Sequence, residues 1–328
     1  MAKFYQPGQR IDHYEIIRLV ARGVASHVYL AQDRQVLQQV ILKFPLDDVI
    51  GGAAVFERYK REAALGRRLR HPGIQRHLNH AEQRSEEYMV LEYLPGRTLR
   101  EVLEENAPAL LPTTEVIRIL LRVCAALVYV HEHGVIHRDV KPDNILLLSN
   151  GEVKLLDFGI AMLEGKRRLK WQNVSGLIGT PDYMAPELLW GKQGSVQTDI
   201  YAVGVTLYEL CCGRTPFEEK DGFAFVTRHI SHDPPGILAF NPTLSPALVT
   251  VIMRCIRRDP ARRYISMQDL VYDLSHLDEV TPETYIPAPP RIGGRYRQVI
   301  RTALIILCVC VAIIACGVLA QYAHSLAH

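Results

Sequence analysis

The run His137-Arg138-Asp139-Val140-Lys141-Pro142-Asp143-Asn144, followed by Asp157-Phe158-Gly159, constrains this chain more than any other feature. Within 21 residues it gathers a carboxylate base, a lysine able to neutralise a phosphate, and two hard oxygen donors for a divalent cation. Asn144 and Asp157 lie 13 residues apart, with the β-rich stretch Ile145–Leu155 between them. Oxygen ligands of this kind suit magnesium, an ion that keeps several waters and takes only one or two carboxylates from a protein. The order and spacing disfavour a chance acidic turn.

Both motifs resemble the catalytic and metal-binding loops of eukaryotic-like protein kinases, and Lys141 two residues after Asp139 resembles the serine/threonine type. The resemblance implies an α+β, bilobal fold with a β-rich N-lobe and a helical C-lobe. It implies that Asp139 orients the substrate hydroxyl and accepts its proton, that Lys141 neutralises the γ-phosphate, and that Asn144 and Asp157 hold the metal. ATP with Mg2+, or Mn2+ in its place, is the expected cofactor pair. Transition-state charge spread over the γ-phosphoryl oxygens makes catalysis mainly a matter of positioning and electrostatics.

Other segments fit the same frame. Gln39-Val40-Ile41-Leu42-Lys43 alternates like a strand that aims Lys43 into a cleft. Glu62, in a helical, charged stretch from Phe56 to Arg70, is the expected ion-pair partner. Tyr88 to Gly96 resembles the strand entering an interlobe hinge, with Leu91 as gatekeeper, the backbone of Glu92 and Leu94 facing adenine, and Val28 and Leu146 covering the ring. Gly179-Thr180-Pro181-Asp182-Tyr183-Met184-Ala185-Pro186-Glu187 resembles the substrate-docking segment. It implies that Thr180 meets Asp139 and Lys141, that Glu187 pairs with Arg263, and that Asp199 braces the catalytic loop. Between Asp157 and Glu187 the hydroxyl side chains are Ser175, Thr180 and Tyr183, so Ser175 is the expected regulatory phosphosite and Thr180 the second candidate. Arg138 is a cation that an activation-loop phosphate would neutralise.

The chain departs from the pattern at two places. Ala21-Arg22-Gly23-Val24-Ala25-Ser26-His27-Val28 keeps only the middle glycine of a phosphate-binding loop, where glycines let backbone amides approach phosphates. Ile41 replaces the usual alanine above adenine. Together they predict weaker ATP binding or a displaced loop, and leave open a tethered pseudokinase or scaffold as the alternative to an active enzyme.

Kinase-like pattern runs over 14–277, with the N-lobe ending near residue 94. Apolar helical periodicity marks Val116–Val130, Ile200–Cys212 and Pro246–Ile256. Residues 279–301, rich in Pro, Gly and Arg, read as a linker. Residues 302–320 carry no charge over 19 residues, and a helix there would span about 28 Å against a hydrocarbon thickness of about 30 Å. A single transmembrane helix is therefore expected. Arg291, Arg295, Arg297 and Arg301 precede it without one acidic residue, which places the kinase domain in the cytoplasm at the cell membrane and leaves 321–328 as a short outer tail. Expected partners are protein substrates bearing Ser or Thr, ATP, the lipid bilayer, and a second copy of the chain for trans-autophosphorylation. The net charge of +3, concentrated near the span, excludes nucleic acid as the expected partner. The seven cysteines lie in apolar stretches without zinc spacing and read as free thiols.

Overall fold

The computed structural model describes residues 4–23, 26–46, 52–78, 84–107, 109–158, 161–163, 181–218 and 222–287. Its first unit is an antiparallel sheet in the order β1 (Arg10–Ile11), β2 (Tyr14–Arg22), β3 (Ser26–Asp33), β4 (Gln39–Pro45) and β5 (Met89–Glu92). Alternation along β4 separates two environments, because successive side chains leave opposite faces of a strand. Val40, Leu42 and Phe44 join Tyr14, Tyr29 and Tyr88 in one buried cluster. Ile41 joins Leu30 and Leu91 on the other face, with Val28 packed beside them. Lys43 shares that second face with Ile41. Helix α1 (Gly52–Arg68) follows β4, and Leu65 in it and Leu69 just after it enter the large core of the second unit.

That second unit is helical: α2 (Leu99–Asn106), α3 (Thr113–Glu132), α4 (Pro186–Leu189), α5 (Val196–Cys212), α6 (Gly222–Ser231), α7 (Pro246–Cys255) and α8 (Met267–Ser275). A three-stranded sheet of β6 (Gly96–Thr98), β8 (Ile145–Leu148) and β9 (Val153–Leu155) lies at its edge, and β7 (Val135–Ile136) pairs with β10 (Met162–Leu163). Helix starts follow local capping chemistry: Thr98 with Glu101 at α2 and Ser266 with Asp269 at α8 form reciprocal capping boxes. Helix α5 is buried from Thr198 to Cys211, as an all-round apolar helix must be, and it stops at Gly213 with φ 72°.

Residues 279–287 contain no helix or strand, as their prolines dictate, yet they are fastened to the lobe. Glu283 donates its amide to Thr250 Oγ1 at 2.9 Å, Tyr285 donates its hydroxyl to the Pro234 carbonyl at 2.7 Å, and Arg257 lies 4.5 Å over the Tyr285 ring. The first part of the expected linker is thus a strap across α7 and its neighbours. Among the described residues no helix is long and apolar enough to cross a membrane, and the expected span 302–320 lies outside them.

Gly204 marks the close approach of α5 and α7. A Cβ there would sit 2.4 Å from Cys255 Cβ and 2.7 Å from Ile256 Cγ2. Gly204→Val is expected to lower unfolding free energy by about 2–3 kcal/mol through overpacking, read as a lower urea midpoint at unchanged m-value. A midpoint equal to that of the wild type would contradict the close packing.

Candidate active site

The catalytic loop is built on one buried carboxylate. Asp199, fully buried in α5, accepts the His137 amide at 2.9 Å, the Arg138 amide at 2.7 Å and His131 Nε2 at 2.8 Å. Burial would raise its pKa, but these donors, with His131 first, bring it below the ordinary aspartate value. The loop it grips is strained: Arg138 has φ 70°. Such a conformation costs a non-glycine residue about 1–3 kcal/mol and persists only where surrounding contacts impose it. His137 Nδ1 accepts the Asp139 amide at 3.2 Å, and Nε2 faces the Leu156 carbonyl at 3.2 Å. Burial holds this imidazole neutral, and the two contacts select the tautomer with hydrogen on Nε2.

Three expected catalytic residues converge on one point. Lys141 Nζ lies 3.0 and 3.1 Å from the two carboxylate oxygens of Asp139, and Asn144 Nδ2 donates to Asp139 Oδ2 and to its carbonyl, each at 2.8 Å. A 3₁₀ turn over Pro142–Asn144 aims the asparagine amide at Asp139. The Leu156 amide donates to the Asn144 carbonyl at 2.9 Å, so the loop that carries Asp157 is tied to the loop that carries Asp139. Asp157 itself has φ 56°, a second strained position in the same site.

Lys43 joins the two units. Its ammonium lies 2.7 Å from Glu62 Oε1 and 3.0 Å from Asp157 Oδ1. Burial alone would discharge this lysine, but the charges of Asp157 and Glu62 outweigh it and lift its pKa above the ordinary value. Glu62 moves the other way for a carboxylate: burial pushes it up to about 7, although Lys43 opposes the shift.

The expected nucleotide residues fall into rows across the sheet. Ala21 pairs with Val28 and Val28 with Lys43, while Leu30 pairs with Ile41 and Ile41 with Leu91. Gly23 donates its amide to the Ser26 carbonyl at 2.8 Å, closing the β2–β3 hairpin, and Val24 and Ala25 lie outside the described residues. Leu146 sits in the second unit, in β8, paired with Thr98 and Lys154. Glu92 and half-buried Leu94 occupy the connector. The Glu92 amide donates to the Arg76 carbonyl at 2.9 Å, and the Glu92 carbonyl accepts Gln75 Nε2 at 3.0 Å. A carbonyl has a second lone pair, so this contact narrows access for an adenine amine without abolishing it. Nothing in the sequence signalled Gln75.

The docking segment is anchored from below. Arg263 reaches both Glu187 oxygens, at 2.8 and 2.9 Å, in a buried bidentate pair. A network the sequence did not reveal adds to it: Arg100 donates to Glu209 Oε1 at 2.8 Å and to the Tyr183 hydroxyl at 2.5 Å, and lies 3.5 Å from Asp143. Tyr183 in turn donates its hydroxyl to Glu209. Arg100 thus ties α2, the catalytic loop and the docking segment to α5. Ser175 and Thr180 lie outside the described residues.

A divalent cation fits the donors present. With Asn144 Nδ2 turned to Asp139, its side-chain oxygen remains for a ligand, and Asp157 keeps 41% of its side chain exposed. No cluster of three His, Cys, Asp or Glu residues able to hold a metal occurs among the described residues, so phosphates and water would complete the shell, as magnesium favours.

Two lobes, a lysine held between a helix carboxylate and a metal-loop aspartate, and a base–lysine–asparagine cluster define the architecture of a nucleotide-dependent phosphotransferase. The chain belongs to the protein kinase family, whose protein kinase domain it matches over residues 14–273. It is 34% identical over 270 residues to a probable serine/threonine-protein kinase PknB of Lactococcus lactis, covering 80% of this chain and 42% of that protein. It is 31% identical over 268 residues to the serine/threonine-protein kinase PrkC of Bacillus subtilis, covering 81% and 41%. The chain therefore spans about two-fifths of the length of these relatives. The crystal structure of the Mycobacterium tuberculosis PknI kinase domain superposes with a TM-score of 0.66 at 26% identity, covering 84% of this chain and 100% of that one.

The Glu62 shift has consequences of opposite sign for stability and for the ion pair. A carboxyl that rises from 4.5 to about 7 on folding holds its proton more tightly in the folded state. Its contribution to stability is fully present below the unfolded value and is lost as pH rises through about 7. The charged pair with Lys43 gains over the same interval. Calorimetric ATP affinity is expected to rise about threefold or more from about pH 6 to about pH 8 in the wild type and to stay flat in Glu62→Gln. Parallel profiles for the two proteins would contradict this role.

Proposed function

We propose that the chain is an ATP-dependent serine/threonine protein kinase that transfers the γ-phosphoryl group to protein hydroxyls and phosphorylates itself. The observation that carries this reading is the convergence of Asp139, Lys141 and Asn144, with Lys141 in contact with both oxygens of the base. The names of its relatives as serine/threonine-protein kinases support it. Asp139 orients the acceptor hydroxyl and takes its proton, and Lys141 offsets charge on the phosphoryl oxygens. Lys43 positions the inner phosphates below the loop of Ala21 and Gly23, while Val28, Ile41, Leu91, Leu94 and Leu146 enclose the adenine. Asn144 and Asp157 would hold a magnesium ion, which would supply neutralising charge to the phosphates. Ser175 is the proposed regulatory phosphosite, with Arg138 the cation that its phosphate would neutralise, and Thr180 is the second candidate. Residues 302–320 anchor the kinase domain on the cytoplasmic face of a membrane, where two copies meet for trans-autophosphorylation.

A tethered pseudokinase is the second reading, favoured by the single glycine at 23 and by the Gln75 contact to the Glu92 carbonyl. One experiment separates the two. The full chain in detergent, given labelled ATP and magnesium, is expected to incorporate phosphate into itself and into a generic Ser/Thr protein, and Asp139→Asn to lose at least about 10³-fold. Equal labelling of both proteins, or of neither, contradicts catalysis. Peptide mapping should then locate label at Ser175, and Ser175→Ala should lower the rate.

A further inference from the structure

Strand alternation gives the β2–β3 hairpin a second row of side chains, one step from the row that faces the cleft. Ala21, Val28 and Lys43 are paired in the first row, and Arg22, His27 and Phe44 in the second. Successive side chains leave opposite faces, so the second row lies on the back of the sheet, where Phe44 joins the aromatic cluster. His27 is only 5% exposed there, although it stands in the last pair before the hairpin turn. The cover comes from residues 4–9.

Gly8, with φ 85°, turns that segment along β2: its amide donates to the Ile16 carbonyl at 2.8 Å, and the Ile16 amide donates to the Gln9 carbonyl at 2.9 Å. Ahead of this turn two rings lie across the second row. The Phe4 ring is 4.5 Å from the His27 ring, and the Arg22 guanidinium lies 5.1 Å over Phe4. The Tyr5 ring is 4.8 Å from Phe44 and meets Tyr29 edge-on at 5.6 Å. Tyr5 is pinned by its hydroxyl, which donates to Glu86 at 2.6 Å, and by its amide, which donates to the Tyr29 hydroxyl at 3.3 Å. Rings against rings and a cation over a ring attract, so the two side chains bridge β2, β3 and β4 behind Lys43.

The hairpin needs such support. Its ladder carries register shifts between Ile16 and Arg18 and between Leu19 and Ala21, breaks that bend and twist a strand pair. Its turn keeps one glycine, Gly23, so few internal features hold its amides at a set height over phosphates.

We infer that Phe4 and Tyr5 clamp the phosphate-covering hairpin to β4 from the back of the sheet, so that residues outside the cleft set its height over a nucleotide. Both are positioning residues that act through the hairpin. The inference rests on the kinase reading for the ligand alone, and the clamp can be measured apart from transfer.

The test uses the full chain in detergent with Phe4→Ala, with Phe4→Tyr, which keeps the ring, and with Arg22→Gln, which removes the cation. Phe4 is 50% exposed, so Phe4→Ala is expected to fold. It should raise the KM for ATP about fivefold with kcat within about twofold, and speed amide exchange at 19–22 and 27–29. Arg22→Gln should shift KM in the same direction, the Phe4→Ala, Arg22→Gln double variant should match Phe4→Ala, and Phe4→Tyr should stay within about twofold of the wild type. Unchanged KM and exchange in Phe4→Ala, a Phe4→Tyr as poor as Phe4→Ala, additive effects in the double variant, or a kcat that falls together with overall stability would overturn the clamp. Should the wild type transfer no phosphate, the kinase reading falls, and exchange at the hairpin still decides whether Phe4 holds it.

Discussion

The ammonium of Lys43 is the meeting point of the molecule. It belongs to β4, touches a carboxylate from α1 and another from the metal loop, and so closes a path through both lobes. Isolating that charge from water would be costly, and two buried or half-buried anions make it tolerable. The same arrangement strains Glu62, whose burial lifts its pKa to about 7. Removing either partner would leave an uncompensated charge, with a typical penalty of about 3–5 kcal/mol. Beyond this junction, Leu65, Leu69 and Ile74 enter the helical core, and Leu155 of β9 exchanges backbone hydrogen bonds with Gly73 and Gln75.

Asp199 does for the catalytic loop what Lys43 does for the cleft. The loop's φ of 70° at Arg138 would relax without the two amide hydrogen bonds that Asp199 accepts, and Asp199 can accept them only because α5 is rigidly buried. Packing in the helical lobe is thereby converted into the position of Asp139. Gly204 contributes at a distance, since the close α5–α7 contact keeps α5 in place.

Much of the site was legible in the sequence because its chemistry allows few residue types. Asp139, Lys141, Asn144, Asp157, Lys43 and Glu62 could be named from motif order, and the structure groups them as Asp139–Lys141–Asn144 and Lys43–Glu62–Asp157. The Glu187–Arg263 pair and the bracing role of Asp199 follow in the same way. Helices α3, α5 and α7 were visible from apolar periodicity. What stayed hidden depends on contacts between segments without a motif. Gln75 on the Glu92 carbonyl, Arg100 between three elements, and Phe4 against Arg22 and His27 join residues whose types are common and whose spacing is irregular. The prolines after residue 279 announced the absence of regular structure, but not that Tyr285 and Glu283 would find partners on the lobe.

That strap fixes where the polypeptide departs. Thr250, Pro234 and Arg257 fasten it to the underside of the helical lobe, on α7 and the loops beside it. These contacts are the last tertiary fastenings of the described chain before Pro287. A load applied at Pro287 would thus fall first on the helical lobe, through Thr250, Pro234 and Arg257, and not on the sheet that carries Lys43.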